Sequence, residues 1–225
     1  MTVILDDGER LVAGLPVDPA TADRVVRIRG WVDLNGYAHP LPSLTTIGWD
    51  VGLRDYAHAL PSLTEIRGDA YLGGYAHALP SLTTIGGTAY LGGYAHPLPS
   101  LTTIGGDVGL RGYAHALPSL TEIRGDAYLG GYAHPLPSLT TIGGRAFLRR
   151  YAHIPAWIGY VGDDSRDYSF WADLLRHRVR AGCRNFSPEQ ARAHWGPGGE
   201  SDRPDCLALA EKAIALIKRS GEKRS

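Results

Sequence analysis

The residues best suited to chemistry in this chain are seven histidines that recur every 19 residues. Each ends a Tyr-Ala-His tripeptide, and together they are His39, His58, His77, His96, His115, His134 and His153. If the repeats stack as parallel strands, the imidazoles form a column with a spacing of about 4.8 Å. Zn²⁺ or Ni²⁺ needs three or four converging ligands, and no Cys, Asp or Glu recurs beside the histidines. We therefore predict no metal site, and a ladder in which each ring stacks on or hydrogen-bonds to a neighbouring group.

The tyrosines of the same tripeptides form a second column. Alternation counted from Leu53 and alternation counted from Leu41 disagree about this corner of the repeat, so both orientations stay open. We favour an inward Ala with Tyr and His pointing outward. An outward stripe predicts a recognition surface for a sugar, a base or a protein, built from Tyr56, Tyr75, Tyr94, Tyr113 and Tyr132.

A third array consists of Ser43, Thr45 and their equivalents, a Ser-x-Thr pattern present in all six full copies of the repeat. Hydroxyl lattices of this kind occur in ice-binding solenoids. Glu65 and Glu122 interrupt the lattice, however. We favour the alternative that these residues serve strand propensity and hydrogen bonding between neighbouring repeats.

Catalytic patterns are poor throughout the sequence. No Ser-Gly elbow, phosphate-binding glycine loop or meaningful carboxylate pair is present, so we predict neither an enzyme nor a cofactor. The alternative is a hydrolase or transferase site where the repeats meet the C-terminal segment, around His153, Trp157, His177 and His194.

One basic cluster lies in the C-terminal segment. Strand alternation places Arg178 and Arg180 on the same face, where they form a candidate binding surface for phosphate. Acidic residues close by in the sequence favour the alternative, a solvated face; these are Asp163, Asp164, Asp167 and Asp173. The 23 basic and 23 acidic side chains cancel, and the sequence pI is about 7.1. The chain therefore has no net charge that would attract nucleic acid from a distance, so we expect nucleic acid to bind only through this basic patch, if at all.

Composition and cysteine content favour a cytoplasmic protein. The 225 residues contain no apolar run long enough to span a membrane, and Met1 to Arg10 has acidic residues where a signal peptide needs a basic stretch followed by a long apolar one. Cys183 and Cys206 lack metal-ligand spacing and are predicted to be buried and unpaired. We expect a monomer or weak dimer whose partner is a protein or a glycan.

The repeat itself predicts the fold. Six full copies run from 37 to 150, a half coil precedes them from residue 28, and a partial seventh follows. Nineteen residues cannot hold two strands, their corners and a helix, which alone averages about 11 residues. We expect a mainly β parallel solenoid over 28–159, with strands at Ser43-Leu44-Thr45 and Val51-Gly52-Leu53 in the first copy and corners at Pro42 and Gly48.

The solenoid is expected to have a cap at each end. Residues 1–27 form the N-terminal cap, and residues 160–225 form a small α+β cap over the last coil. In the latter, 167–172 and 177–181 are predicted to pair as a hairpin. Ser187 and Pro188 begin one helix that ends near Trp195, and a second helix begins near Asp202 and ends before Gly221.

Two segments carry a resemblance to known proteins. The motif Leu-Pro-Ser-Leu-Thr-Thr-Ile-Gly-Gly-Asp-Val-Gly-Leu is similar to short, strand-rich leucine-rich repeats, and in particular to repeat proteins of tailed phages and prophages. The segment from Arg180 to Ser187, with the following Glu189, Ala191 and His194-Trp195, resembles the segment that closes many of those proteins. The resemblance implies a solenoid fold and a mobile-element origin, and it supplies no catalytic residues. We predict a non-catalytic protein for binding or scaffolding.

Overall fold

The computed structural model describes residues 2–5, 10–11, 15, 18–148, 151, 153–182 and 184–222. Before the repeats it has strands β1 (Thr2–Leu5) and β2 (Arg10–Leu11) and the short helix α1 (Pro19–Asp23), which Asp18 caps by accepting a hydrogen bond from the Thr21 amide. Strand β1 pairs antiparallel with both β2 and β3 (Val25–Arg29), so these residues cover the first edge of the solenoid.

Each repeat contributes two short strands. From β4 onward they are β4 (Val32–Asp33), β5 (Thr46–Ile47), β6 (Val51–Gly52), β7 (Glu65–Ile66), β8 (Ala70–Tyr71), β9 (Thr84–Ile85), β10 (Ala89–Tyr90), β11 (Thr103–Ile104), β12 (Val108–Gly109), β13 (Glu122–Ile123), β14 (Ala127–Tyr128), β15 (Thr141–Ile142) and β16 (Ala146–Phe147). The odd-numbered strands from β3 to β15 form a first parallel sheet, and the even-numbered strands from β4 to β16 form a second.

The predicted β-solenoid is confirmed. Each strand pairs with the strand 19 residues further on, for example Ile66 with Ile47 and Ile85, so equivalent residues stack directly. The first strand of each coil begins later than predicted, at Thr46 in the first copy. The reason is a turn at Pro42-Ser43, in which the Leu44 amide donates to the Leu41 carbonyl and delays the extended backbone.

The interior of the solenoid is a set of apolar columns that run its whole length. In the first full copy Leu41, Leu44, Ile47, Val51 and Leu53 are completely buried, and their equivalents in later copies are buried as well. A methyl group added at Gly86 would lie 2.2 Å from the Arg67 carbonyl oxygen of the preceding coil. Glycine at this corner therefore permits the close approach of the two backbones.

The outward orientation predicted for the tyrosine column is wrong. Tyr56, Tyr75, Tyr94, Tyr113 and Tyr132 are at most 3% exposed, and the exposed member of the tripeptide is the alanine, as at Ala57. A reverse turn causes the difference, because the Tyr56 amide donates to the Leu53 carbonyl and the two intervening residues interrupt the strand alternation. These tyrosines therefore do not form the predicted recognition surface.

The C-terminal cap has two layers. Strands β17 (Ile158–Asp163), β18 (Ser169–Asp173), β19 (Arg178–Ala181) and β20 (Arg184–Phe186) form an antiparallel sheet, with helices α2 (Pro188–Trp195) and α3 (Pro204–Glu222) packed on it. The predicted hairpin is β18 and β19, and α2 begins after Ser187 as predicted, with Ser187 and Gln190 forming a capping box. Helix α3 extends past the predicted end and includes Gly221.

The cap sheet contacts the array and the helices through different residues. Trp171 is packed in the core of the solenoid, whereas Phe170, Ala172 and Val179 pack with α2 and α3. The helices therefore cover the sheet, and the sheet covers the last coil. Within the described part of the chain, no helix is long and apolar enough to cross a membrane.

Candidate ligand-binding face

The exposed aromatic residues of the solenoid lie on the outer face of the second sheet. Strand alternation buries Ala70 and Leu72 and turns Tyr71 outward, where 47% of it is exposed. The same position in other coils carries the residues that we call the aromatic stripe, namely Tyr71, Tyr90, Tyr128 and Phe147. Tyr90 and Tyr128 are 46% and 40% exposed, and Phe147 is half-buried.

The stripe consists of two stacked pairs. The ring centroids of Tyr71 and Tyr90 are 4.6 Å apart with 8° between the planes, and those of Tyr128 and Phe147 are also 4.6 Å apart, with 6° between the planes. Parallel register produces this geometry because it places the side chains directly above one another. Desolvation by the neighbouring groups, followed by the nearby Tyr90 hydroxyl, raises the pKa of Tyr71.

Glycine interrupts the stripe at two coils. Gly52 precedes Tyr71 by one coil, and Gly109 lies between Tyr90 and Tyr128. A methyl group built on Gly109 would have no atom of the described chain within 4 Å, so the space above it is open. A methyl group on Gly52 would lie 3.2 Å from Oδ1 of Asp33, so a carboxylate borders the opening there. We call the openings at Gly52 and Gly109 the first and second notch.

The first notch opens into a groove of about 770 Å³. Its floor includes Gly52, Gly73 and Gly92, and Tyr71 and Tyr90 line one part of it. At the end nearest the N-terminus the groove is polar, with Asp33, Asn35 and Arg54. It therefore combines an aromatic wall with hydrogen-bond donors and acceptors, as small-molecule and oligomer sites do.

A ladder of aspartates runs along one side of the stripe. Oδ1 of Asp50 accepts a hydrogen bond from the Asp69 amide at 2.8 Å, and Oδ1 of Asp69 accepts one from the Thr88 amide at 2.7 Å. Asp107 and Asp126 repeat the arrangement three coils later, with contacts of 2.7 Å. The Oδ1 atoms thus link neighbouring coils by hydrogen bonds, while the carboxylate groups stay on the outer face of the sheet.

The last coil adds an ion pair to this ladder. Nε of Arg145 donates to Oδ2 of Asp126 at 2.7 Å, and the Arg145 guanidinium lies 5.4 Å from the centre of the Phe147 ring. Burial opposes ionisation of Asp126, but the hydrogen bonds from Arg145 outweigh it and lower the pKa of the carboxyl.

Two tryptophans mark the N-terminal end of the face. Trp31 and Trp49 are 61% and 65% exposed, the highest values among the large apolar residues described. They line a second cavity of about 710 Å³ together with Val32 and Leu15. Sequence reasoning missed the whole face, although Ala70-Tyr71-Leu72 carries a plain alternation that identifies Tyr71 as outward.

The histidine column is a ladder of the predicted kind. Nε2 of His58 donates to the Ala38 carbonyl of the preceding coil at 2.9 Å, and His77, His96, His115 and His134 repeat the contact at 2.6–2.8 Å. The rings also pack edge-on against the buried tyrosines, with His153 against Tyr151 at the end of the column. Among the residues that the structure describes, no three His, Cys, Asp or Glu side chains are grouped so as to hold a metal ion.

The Ser-x-Thr array also links neighbouring coils. Oγ1 of Thr64 donates to the Thr45 carbonyl at 3.0 Å, and Oγ of Ser81 donates to the Pro61 carbonyl at 2.7 Å. The favoured explanation, hydrogen bonding between repeats, is confirmed for these hydroxyls. Their donor hydrogens are directed at the protein backbone.

The residues of the alternative junction site are dispersed. His153 and Trp157 line one cavity, His194 lines another within the cap, and His177 lies in the turn between β18 and β19 with a φ of 54°. In the cap cavity, of about 220 Å³, Nδ1 of His194 is 3.0 Å from Oε2 of Glu200.

Cys206 is buried and unpaired in the same cavity, and burial raises the pKa of its thiol to about 11. Cys183 lies outside the described residues.

The prediction that Arg180 lies on an exposed basic face of β19 is wrong. Arg180 is only 6% exposed, and its Nη2 lies 3.0, 2.7 and 2.8 Å from the carbonyl oxygens of Ile142, Gly143 and Gly144. The guanidinium stays inside because the last coil presents backbone acceptors that have no further coil to pair with. Arg178 is half-buried and donates to Asn185 on the neighbouring strand.

Comparisons with known proteins gave no match to a family model, to a curated protein or to a solved structure. The similarity to phage-encoded repeat proteins therefore stays a prediction from the two sequence segments that carry it.

Proposed function

We propose that this protein is a non-catalytic binding protein whose ligand contacts the aromatic stripe and the polar columns beside it. The observation that carries the proposal is the two pairs of stacked, partly exposed rings at one position of the coils. Apolar groups left contiguous on a surface favour association, because a partner removes them from water.

The scaffold suits such a role because it holds the stripe in one arrangement. Residues beneath each ring are completely buried, as at Ala70 and Ala89, and aspartate hydrogen bonds join the coils from Asp50 to Thr88 and from Asp107 to Arg145. A preorganised surface loses little conformational entropy when it binds. The resemblance to phage-encoded repeat proteins supports a phage or prophage setting within the same proposal.

The test is a binding survey with a variant that removes the stripe. Wild type and Tyr71→Ala/Tyr90→Ala are applied to an array that carries oligosaccharides, single-stranded oligonucleotides and peptides. We expect wild type to bind one class and the variant to lose that binding at least about tenfold, since each lost aromatic contact is worth about 0.5–1.5 kcal/mol beyond its buried area. A matched change on the first sheet, Thr84→Ala, should leave binding intact.

Two results would contradict the proposal. One is equal binding by wild type and the stripe variant, which would place the ligand elsewhere. The other is no binding to any of the three classes while circular dichroism shows both proteins folded.

A further inference from the structure

We propose that the ligand of this face is an uncharged polysaccharide chain that lies along the solenoid axis and places one sugar ring in each of the two notches. The proposal rests on the binding function above and names its ligand class. It is carried by the shape of the second notch, by the spacing of the two notches and by the charges beside them.

The second notch has an aromatic wall on each side. The stacked geometry of Tyr71 with Tyr90 turns the free face of Tyr90 toward Gly109, and the pair of Tyr128 with Phe147 turns the free face of Tyr128 toward the same glycine. Two coils separate the walls, which corresponds to about 9.6 Å. The opening is therefore a slot for one ring.

The width of this slot favours a saturated ring over a flat one. Carbon atoms in contact lie about 3.5–4.0 Å apart, so a planar ring that touched both walls would need only about 7–8 Å. The remaining ~2 Å matches the pucker and the axial hydrogens of a pyranose. A nucleobase or an aromatic side chain would leave one wall without contact.

The two notches occupy equivalent positions of a duplicated unit. Gly52 and Gly109 are 57 residues apart, which is three repeats and about 14 Å along the axis. Each is followed by a ring pair, and each has an arginine two residues further along the chain, Arg54 or Arg111. A ligand that fills both notches must present the same group twice at this spacing, as a polysaccharide does along its whole length.

Charge on the face opposes a polyanion. Within the described residues of this face, the columns beside the stripe and the stripe position itself carry five carboxylates and three arginines; these are Asp33, Asp50, Asp69, Asp107 and Asp126, and Arg54, Arg111 and Arg145. A phosphate backbone laid along the aspartate ladder would meet like charge at four of the six coils from Asp50 to Arg145. Sugar hydroxyls both donate and accept, so they can bond to carboxylates and guanidinium groups alike.

The decisive variant fills the second notch. Gly109→Tyr continues the ladder from Tyr90 to Tyr128, and tyrosine already occupies this coil position three times, so we expect the fold and melting temperature to be kept. Affinity electrophoresis is run through gels that contain a β-linked glucan, a mannan or a galactan, with dextran sulfate and single-stranded DNA as polyanions. At least one uncharged polysaccharide should retard wild type, and Gly109→Tyr should weaken that binding at least about tenfold because both ring contacts are lost.

The control is Thr103→Tyr, which adds the same side chain to the first sheet of the same coil and should bind like wild type. If Gly109→Tyr does not fold, Tyr90→Ala and Tyr128→Ala remove the two walls separately and should each weaken binding.

Retardation by the polyanions alone, or by uncharged polysaccharide equally in all variants, overturns the inference. Binding to oligonucleotides or peptides that depends on the aromatic stripe, with no polysaccharide bound, overturns the ligand class and keeps the binding function. No stripe-dependent binding at all overturns both.

Discussion

At the scale of single residues, a phenol inside an apolar column needs a partner for its hydroxyl. The buried tyrosines solve this by donating backward to the preceding coil, as Tyr94 does to the His77 carbonyl at 3.0 Å. Their rings stack on one another at centroid distances of 6.1–6.5 Å through the interior. One residue type thus provides core volume and a hydrogen bond between coils.

This burial predicts an alkaline limit to stability. Desolvation, reinforced by the neighbouring tyrosine, raises the pKa of Tyr75 and Tyr94 well above the ordinary value of 10, and desolvation raises the pKa of Tyr151 to about 12. Above pH 10 the unfolded chain releases these protons while the folded chain retains them, so the free energy of unfolding falls as pH rises. Below pH 10 this contribution is fully present.

The measurement is an alkaline titration followed by tyrosinate absorbance and circular dichroism together. We expect the buried tyrosines to ionise only as the solenoid unfolds, so the part of the absorbance change that belongs to them should coincide with the loss of the native dichroism spectrum. Ionisation of all 12 tyrosines with a native dichroism spectrum would show that the column is open to solvent.

The same corner shows what sequence could not supply. Alternation is reliable along a strand, where Ala70 and Tyr71 take opposite faces, but it fails across a turn whose geometry is not known beforehand. The orientation of the buried tyrosines depends on such a turn, whereas the orientation of the aromatic stripe depends only on alternation within a strand. A prediction restricted to the strands would have identified Tyr71 and left Tyr75 undecided.

At the scale of elements, the cap closes an open ladder of backbone carbonyls. Arg180 contacts three carbonyls of the last coil, Nη1 of Arg176 donates to the Thr140 carbonyl at 3.3 Å, and the Trp157 indole donates to the Leu139 carbonyl. Side chains of the cap sheet and its flanks therefore take the place of the next strand. Sequence predicted the hairpin that carries Arg180, but not this use of it, because strand alternation carries no information about which layer covers each face.

We predict that Arg180→Met destabilises the protein by about 2–4 kcal/mol. The substitution leaves buried carbonyls without donors, at about 1–3 kcal/mol for each unsatisfied group, with some offset from the removal of a desolvated charge. Desolvation lowers the pKa of this guanidinium, which indicates how far it is withdrawn from water. Denaturant unfolding measures the change.

Arg178→Met is the matched control in the same strand. Its bonds to Asn185 lie at the exposed edge of the sheet, so we expect a loss below about 0.5 kcal/mol. Equal losses for the two variants would mean that closure of the last coil does not depend on Arg180.

Two strands of the cap sheet were not predicted, and their residues show why. β17 contains Gly159 and Gly162, which weaken any strand pattern, and β20 is three residues long. A side chain at Gly159 would collide with Leu216 of α3, whose Cδ1 would be 2.8 Å from the added methyl. The glycine therefore serves helix packing, a requirement of tertiary structure that local propensity cannot show.

At the scale of the whole molecule, the solenoid is a sum of coils and of interfaces between coils. Neighbouring coils contact each other through the same ladders of backbone strands, histidines and tyrosine hydroxyls, and most of them also through the aspartates. Stability of such an array is approximately additive over repeats and nearest-neighbour interfaces. The repeat period was enough to predict this architecture, because identical residues at a fixed spacing have one way to stack in register.

The last prediction follows from that additivity. Excision of residues 75–93 removes one whole copy and joins Gly74 to Tyr94, the same Gly-Tyr junction that already links successive copies. The new neighbours bring matching ladders together, since Leu72 and Leu110, and Asp69 and Asp107, occupy repeated positions. We expect a folded protein with the same dichroism spectrum per residue and a melting temperature lowered by less than about 15 °C. Excision of residues 76–93 is one residue short of a copy, so it shifts each following side chain out of register and turns the inward leucines of the next strand toward solvent. That second protein should be insoluble or should melt without a cooperative transition; if both excisions give the same thermal melting and size-exclusion behaviour, stacking in register is not what holds the array together.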